Sequence, residues 1–492
     1  MGLVIAAPAS GSGKTLLSLC LVAAVARRGL SLQSFKVGPD YLDPQLLSAA
    51  SGRPCRNLDR LLCGKAWPEL AYRHWGGQTD LTLVEGVMGL FDGQGPTPEG
   101  STARIAEQLG LPILFIVDAR RQGHSLVALV QGFRAMAPQL RWAGVVLNGV
   151  GSARHRQLLE QSLAGIGLPL LGSLPRADAL ELPCRHLGLL TPRELADFSV
   201  RLDAMASHAE RHLDLERLLP LLTAPRQQSE VEPYGRLLAS PGTGTPSGDR
   251  SRASSAPRGE VAMAPPPDTL RRPLICVAAD QAFHFHYPEL FEWCEVLGAE
   301  VLRWSPLADE DLPAACAAVV LPGGYPELHA EQLSQAERSL QALRRHCGQR
   351  RPLLAECGGM LLLGESLRDG EDRSWPMAGL LPFSAGRGAL SLGYRQARVA
   401  RDALTVRQGE QLRGHEFHRW QLLPRAGIAG DEPHGDLWHL EGWGVSARHE
   451  GFASQWLQAS WLHLHWSGCP QVPRRLIAAA SCRSAATAGR PG

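Results

Sequence analysis

Six residues near the start of the chain, Ser10-Gly11-Ser12-Gly13-Lys14-Thr15, restrict its fold more than any other feature. They follow the apolar run Val4-Ile5-Ala6, which reads as a strand, and precede Leu16 to Ala26, which reads as a helix. A glycine-rich loop between strand and helix turns backbone N–H groups toward an anion, and the helix terminus adds a favourable field. Lys14 would then reach terminal phosphates and Thr15 would ligate magnesium, which makes ATP and Mg2+ the expected cofactors. Ser10, Gly11, Ser12, Gly13, Lys14 and Thr15 are the expected ATP-binding set. The usual first glycine of GxxxxGK[ST] falls at Pro8, which affects the loop's opening turn more than its phosphate contacts.

The same alternation continues downstream. Leu81 to Glu85, Ile113 to Val117 and Val145 to Asn148 read as short buried strands, each followed by a polar or glycine-rich loop. Such runs between helical stretches predict a parallel sheet with helices on both faces. Residues 228–271 are crowded with Ser, Gly, Pro and Arg and have too few apolar side chains to offset their ordering entropy. A second α/β unit is expected from Pro273 onward, with strands ending at Asp280, Leu321 and Ala355. The expected division is a first domain over 1–225, a low-complexity linker over 226–271, a second domain over 272–475 and a basic tail over 476–492.

With 492 residues, two or three domains can each bury a core. A net charge of +2 gives no electrostatic case for nucleic acid or a membrane surface, and no run is apolar enough to span a bilayer. The 11 cysteines form no CxxC pair, which predicts reduced thiols and no structural zinc. With no secretory leader pattern at the amino terminus, a cytoplasmic location is expected.

Two clusters carry the chemistry. Around the phosphate loop, Glu85 ends a strand and is expected to hold magnesium, directly or through water. Lys36-Val37-Gly38-Pro39-Asp40-Tyr41-Leu42-Asp43-Pro44 packs charge about a stiff turn, for which an N-cap cluster is the plainer reading. Asn148 is a candidate reader of the nucleotide base, or the start of an Asx turn. The second cluster centres on Ala355-Glu356-Cys357-Gly358-Gly359, where a tight strand-to-helix turn would expose a thiol and favour its thiolate. His463 and His465 alternate in Leu462-His463-Leu464-His465, which predicts both on one strand face as candidate bases. Gly324 and Gly358 are possible oxyanion donors.

Taken in order, these stretches resemble the cobyrinic and hydrogenobyrinic acid a,c-diamide synthase family. The resemblance also rests on Val84-Glu85-Gly86-Val87-Met88-Gly89-Leu90-Phe91-Asp92-Gly93, Gly323-Gly324-Tyr325-Pro326-Glu327, Gly393-Tyr394-Arg395, Gly414-His415-Glu416-Phe417-His418 and Ser460-Trp461-Leu462-His463-Leu464-His465. It implies an α/β fold class: an amino-terminal P-loop domain like dethiobiotin synthetase, then a class I glutamine amidotransferase-like α/β domain. It also implies Cys357 as nucleophile, His463 as its activating base, and Asp40, Tyr41, Leu42 and Asp92 around the phosphate and the reacting carboxylate. His465 stands where an ordinary triad has glutamate, so the resemblance supports a Cys-His pair with another orienting contact. Asp280 and the aromatic run Phe283 to Tyr287 match a family stretch, with His284 and His286 as departures.

The implied activity is ATP- and glutamine-dependent amidation of the c and then the a acetate of a corrinoid macrocycle. Ammonia would pass between domains by a protected route. Glutamine and the corrinoid are the expected partners, without nucleic acid or membrane, and a homodimer is compatible with the reading. The alternatives are a nickel-sirohydrochlorin a,c-diamide synthase, cobyric acid synthase and, remotely, a P-loop regulatory ATPase.

Overall fold

A computed structural model describes residues 2–177, 180, 182, 184–185, 188–189, 191–192, 194–195, 197–226, 233–239, 272–423 and 436–488. The chain divides into two compact units, Met1–Gly235 and Arg236–Gly492.

The first unit is built on seven strands: β1 (Leu3–Ala6), β2 (Leu32–Val37), β3 (Arg56–Leu58), β4 (Leu81–Glu85), β5 (Ile113–Asp118), β6 (Trp142–Asn148) and β7 (Leu170–Leu174). They lie in the order β3-β2-β4-β1-β5-β6-β7, and all their pairings are parallel. β1, β2 and β4 are buried along their whole length, as expected of strands covered on both faces. Because β1 lies between β4 and β5, the crevice at its carboxyl end is where an open α/β sheet receives ligands. Helix α1 (Lys14–Arg27) leaves from that end and packs its apolar side chains into the core with those of the helix Phe198–His212.

The second unit has a six-stranded sheet running Glu300–Trp304, Leu274–Ala278, Cys316–Leu321, Leu353–Glu356, Leu457–Ser460 and Phe452–Ala453. The first five are parallel and the last is antiparallel. A second sheet is formed around a long hairpin of Ser384–Val399 and Gln411–Leu423.

Two sequence expectations meet the structure differently. Within the expected linker, Pro233–Ala239 is helical, while 227–232 and 240–271 lie outside the described residues. Of the expected basic tail, 476–488 forms the end of a helix, Gln471–Ala488, and 489–492 lies outside the described residues. Its Val472, Leu476 and Ala480 are buried at four-residue spacing, an apolar stripe that the surrounding Arg, Ser and Ala residues had hidden.

Candidate active sites

The first site gathers at the carboxyl ends of β1, β2, β4 and β6. Gly13 precedes α1 with φ 107°, and a Cβ there would fall 2.5 Å from Asn148 Nδ2. Glycine therefore permits both the left-handed turn and the approach of Asn148, which donates to the Ser12 carbonyl at 3.0 Å. The left-handed loop residues are Gly11 and Gly13, and Pro8 is not among them, so proline at that place costs the loop no required conformation. Ser12 Oγ donates to the Ala9 carbonyl at 2.9 Å, and Ser10 and Gly11 are exposed at the loop's tip. Lys14 Nζ donates to the carbonyls of Met88 at 2.5 Å and Ala9 at 3.3 Å. Burial, with repulsion from Lys36, pushes its pKa down to about 8.

Beneath the loop lies a knot of buried charge. Thr15 Oγ1 donates to Glu85 Oε1 at 2.9 Å. Lys36 Nζ lies 2.8 Å from that same oxygen and 3.8 Å from Asp40 Oδ2, and it pairs with Asp43. Burial opposes the Lys36 charge, yet Asp43, Glu85 and Asp40 together hold its pKa well above the usual lysine range. Burial pushes Glu85 up, and burial with the neighbouring Asp43 charge pushes Asp40 up to about 7.

Asp40 also accepts from the N–H groups of Leu42 at 2.8 Å and Asp43 at 3.1 Å. Asp40 thus closes a turn ahead of the helix Asp43–Ser51, whose N-cap, Leu42, makes no side-chain capping bond, and the same turn delivers the charges. Tyr41 and Leu42 are buried in it. Asp92 Oδ2 accepts from Gly89 N–H at 2.8 Å, shaping the loop after β4. Lys36 lies in the charged stretch before Pro44 but is not among the expected site residues. The available signal was a lysine between Phe35 and Val37 on a buried strand, which must find carboxylates.

The second site gathers at the ends of three adjacent parallel strands. Register Leu321↔Ala355 and Glu356↔Ser460 brings together the loops that carry Gly323-Gly324, Cys357 and His463. Cys357 has φ 47° and ψ −112° at the start of the short helix Gly358–Leu361, a setting that costs roughly 1–3 kcal/mol for a side-chain-bearing residue. It is held by its N–H donating to the Ser460 carbonyl at 2.7 Å, while the thiol contacts the Phe417 carbonyl at 3.8 Å. A Cβ on Gly323 would fall 2.3 Å from His463 Cε1, and one on Gly358 would fall 2.9 Å from Gly324 N. These glycines let the imidazole and the two candidate oxyanion donors crowd one space.

The thiol is not exposed as expected. Cys357 is 3% accessible, and burial, reinforced by the Glu327 charge, raises its pKa well above the usual range. The resting group is therefore a thiol, and a base is required. Burial pushes His463 down to about 3, which keeps it neutral before substrate binds.

Neither His463 nor His465 lies in a strand, because the strand Leu457–Ser460 ends before them. His463 makes an isolated bridge to His415, with N–H···O bonds of 2.9 and 3.0 Å, and a short helix, Trp466–Gly468, begins directly after His465. His465 Nδ1 caps the next turn by accepting from Ser467 N–H at 3.3 Å, and its Nε2 lies 3.7 Å from buried Glu289. Asp280 likewise holds a turn, accepting from Ala282 and Phe283 N–H. From the aromatic run, the ring that approaches His463 is Phe285, at 6.2 Å between centroids. Beside them the hairpin buries Glu416 between Arg395, at 2.6 Å, and Arg448.

Among the described residues no helix is long and apolar enough to cross a membrane. Residues 3–190 match the CobQ/CobB/MinD/ParA nucleotide binding domain family, and residues 274–470 match the CobB/CobQ-like glutamine amidotransferase domain family. The chain is 39% identical over 479 residues to a cobyrinate a,c-diamide synthase of Gloeobacter violaceus, covering 97% of this chain and 96% of the relative. It is 40% identical over 474 residues to one from Synechocystis, covering 95% and 90%. Against a hydrogenobyrinate a,c-diamide synthase of Streptomyces coelicolor it is 39% identical over 488 residues, covering 96% of each. With both domain families matched and similarity running nearly end to end, the chain belongs to the cobyrinate and hydrogenobyrinate a,c-diamide synthase family.

Proposed function

We propose that the protein converts two acetate carboxylates of cobyrinic or hydrogenobyrinic acid, a and c, into amides, using ATP and glutamine. The observation that carries this reading is the pairing, in one chain of that family, of a phosphate loop backed by buried charge with a buried Cys-His site.

At the second site, sulfur of Cys357 adds to the side-chain carbonyl carbon of glutamine while its proton passes to neutral His463. The N–H groups of Gly324 and Gly358 receive the oxyanion. Collapse of the tetrahedral species expels ammonia, which takes the proton from His463. Water then cleaves the thioester to glutamate.

At the first site, the amides of Gly11 to Lys14 and the Lys14 ammonium hold the phosphates, and Asn148 fixes the loop beside the base. The γ-phosphoryl group passes to the macrocycle carboxylate, and ammonia displaces phosphate from the resulting acyl phosphate. Asp40, Tyr41, Leu42 and Asp92 border the reacting carboxylate. Lys36, held by Asp43 and Glu85, sets the charge balance beneath it.

Magnesium suits the oxygens present: the Thr15 hydroxyl and the Glu85 carboxylate, whose Oε2 is buried without a hydrogen-bond partner. An ion bound there would take its remaining ligands from phosphate and water. Bound there, it would neutralise charge developing on the phosphoryl oxygens.

The test is to supply each macrocycle, cobalt-containing and metal-free, with ATP, magnesium and glutamine and to count amides by mass. Addition of two amides to one or both is expected. Failure to diamidate either overturns the reading.

A further inference from the structure

A Cys-His pair works only if the imidazole carries its proton on Nδ1, leaving Nε2 free to accept one. The residue two places after His463, His465, is occupied as a turn cap beside Glu289 and cannot supply the orienting carboxylate. Glu416 is also near, but it is held by Arg395 and Arg448. Glu356 differs from both. Its Oε2 lies 3.9 Å from His463 Nδ1, and its Oε1 is anchored by Leu464 N–H at 3.3 Å. Consecutive residues of a regular strand point to opposite faces. The left-handed turn at Cys357 ends that alternation, so neighbouring residues can serve one site.

We propose that Glu356, immediately before the nucleophile, is the positioning residue that holds the His463 imidazole through Nδ1–H. The inference rests on the glutamine-hydrolysis reading and deepens it. As the sulfur–carbon bond forms, the carbonyl π pair moves onto oxygen and the thiol proton moves to Nε2. The Glu356 carboxylate steadies the imidazolium until Nε2 returns that proton to the departing nitrogen. No other reactant is needed. The 3.9 Å separation would shorten by about 1 Å when glutamine binds, since such contacts tighten in the reacting complex.

The test is Glu356→Gln, which retains the side chain's size and an oxygen for Leu464 N–H while removing the charge. Glutaminase kcat should fall roughly 10²- to 10⁴-fold, with KM for glutamine within about threefold. Alkylation of Cys357 by an electrophilic glutamine analogue should slow in step, and Glu356→Asp should recover part of kcat. Amidation driven by free ammonia should persist. Wild-type glutaminase activity in Glu356→Gln overturns the inference. Loss of ammonia-driven and glutamine-driven activity together also overturns it, by showing a role in the fold. If the unaltered enzyme releases no ammonia from glutamine, the glutamine-hydrolysis reading fails instead.

Discussion

The two sites bury their reactive groups by opposite means. Around Lys36 the first unit buries charges and balances them against each other, with one ammonium among Asp40, Asp43 and Glu85. Around Cys357 the second unit uses burial to keep groups neutral. The thiol pKa is raised and the imidazole value is lowered, so neither nucleophile nor base carries a charge before glutamine arrives. The difference follows from the chemistry. Phosphate brings its own charge and needs fixed charges to meet it. A thiol attacking an amide creates charge only along the reaction path, and a neutral imidazole can accept the proton as that charge develops.

The largest effect should separate the sites outright. Cys357→Ser should lower glutamine-driven amidation by more than about 10³-fold, while ammonia-driven amidation proceeds. If ammonia fails to rescue, Cys357 is not confined to glutamine hydrolysis. Lys36→Met should act on the charge knot. Removing one partner leaves carboxylates buried without their counter-charge, so stability should fall by about 3–5 kcal/mol and both nitrogen sources should fail. An unchanged melting temperature would show that the carboxylates do not depend on Lys36.

A smaller effect tests the neutral site. Burial pushes Glu356 up to about 8, against the single N–H of Leu464 and beside the His463 imidazole. A carboxyl with a raised pKa is protonated below that pH and ionised above it. Glutaminase kcat should therefore rise about tenfold from pH 7 to pH 9, and Glu356→Gln should flatten this limb. A flat wild-type profile would place the orienting charge elsewhere. The smallest effect belongs to His465→Gln, which removes a turn cap. It should cost about 1–2 kcal/mol of stability and change glutaminase kcat by less than about threefold. A loss comparable to that of His463→Gln would return His465 to the catalytic pair.

Much of this was legible locally. A glycine loop between an apolar strand and a helix announces phosphate, because the backbone itself makes the site. A Cys-Gly-Gly turn after Leu353 to Ala355 announces a strained, strand-end nucleophile for the same reason. Less legible were features that depend on what lies across the sheet. The thiol read as exposed is buried, and it contacts the Phe417 carbonyl on a hairpin far along the chain. His465 read as a partner of His463 because alternation assumes a continuing strand, and the strand stops. The end of the helix Gln471–Ala488 read as a tail because its apolar stripe is thin.

Sequence alone determined which groups the chain owns and which turns present them: Lys14 and Thr15 on one loop, Cys357 on another, and a histidine downstream. Spacing in the backbone dictates those turns, so they survive without knowledge of neighbours. Tertiary structure decided protonation and partnership: that Lys36 stays charged, that Cys357 rests as a thiol, and that Glu356 rather than His465 lies beside His463. Those outcomes depend on desolvation and on distances between distant segments, and both arise only when the sheets assemble.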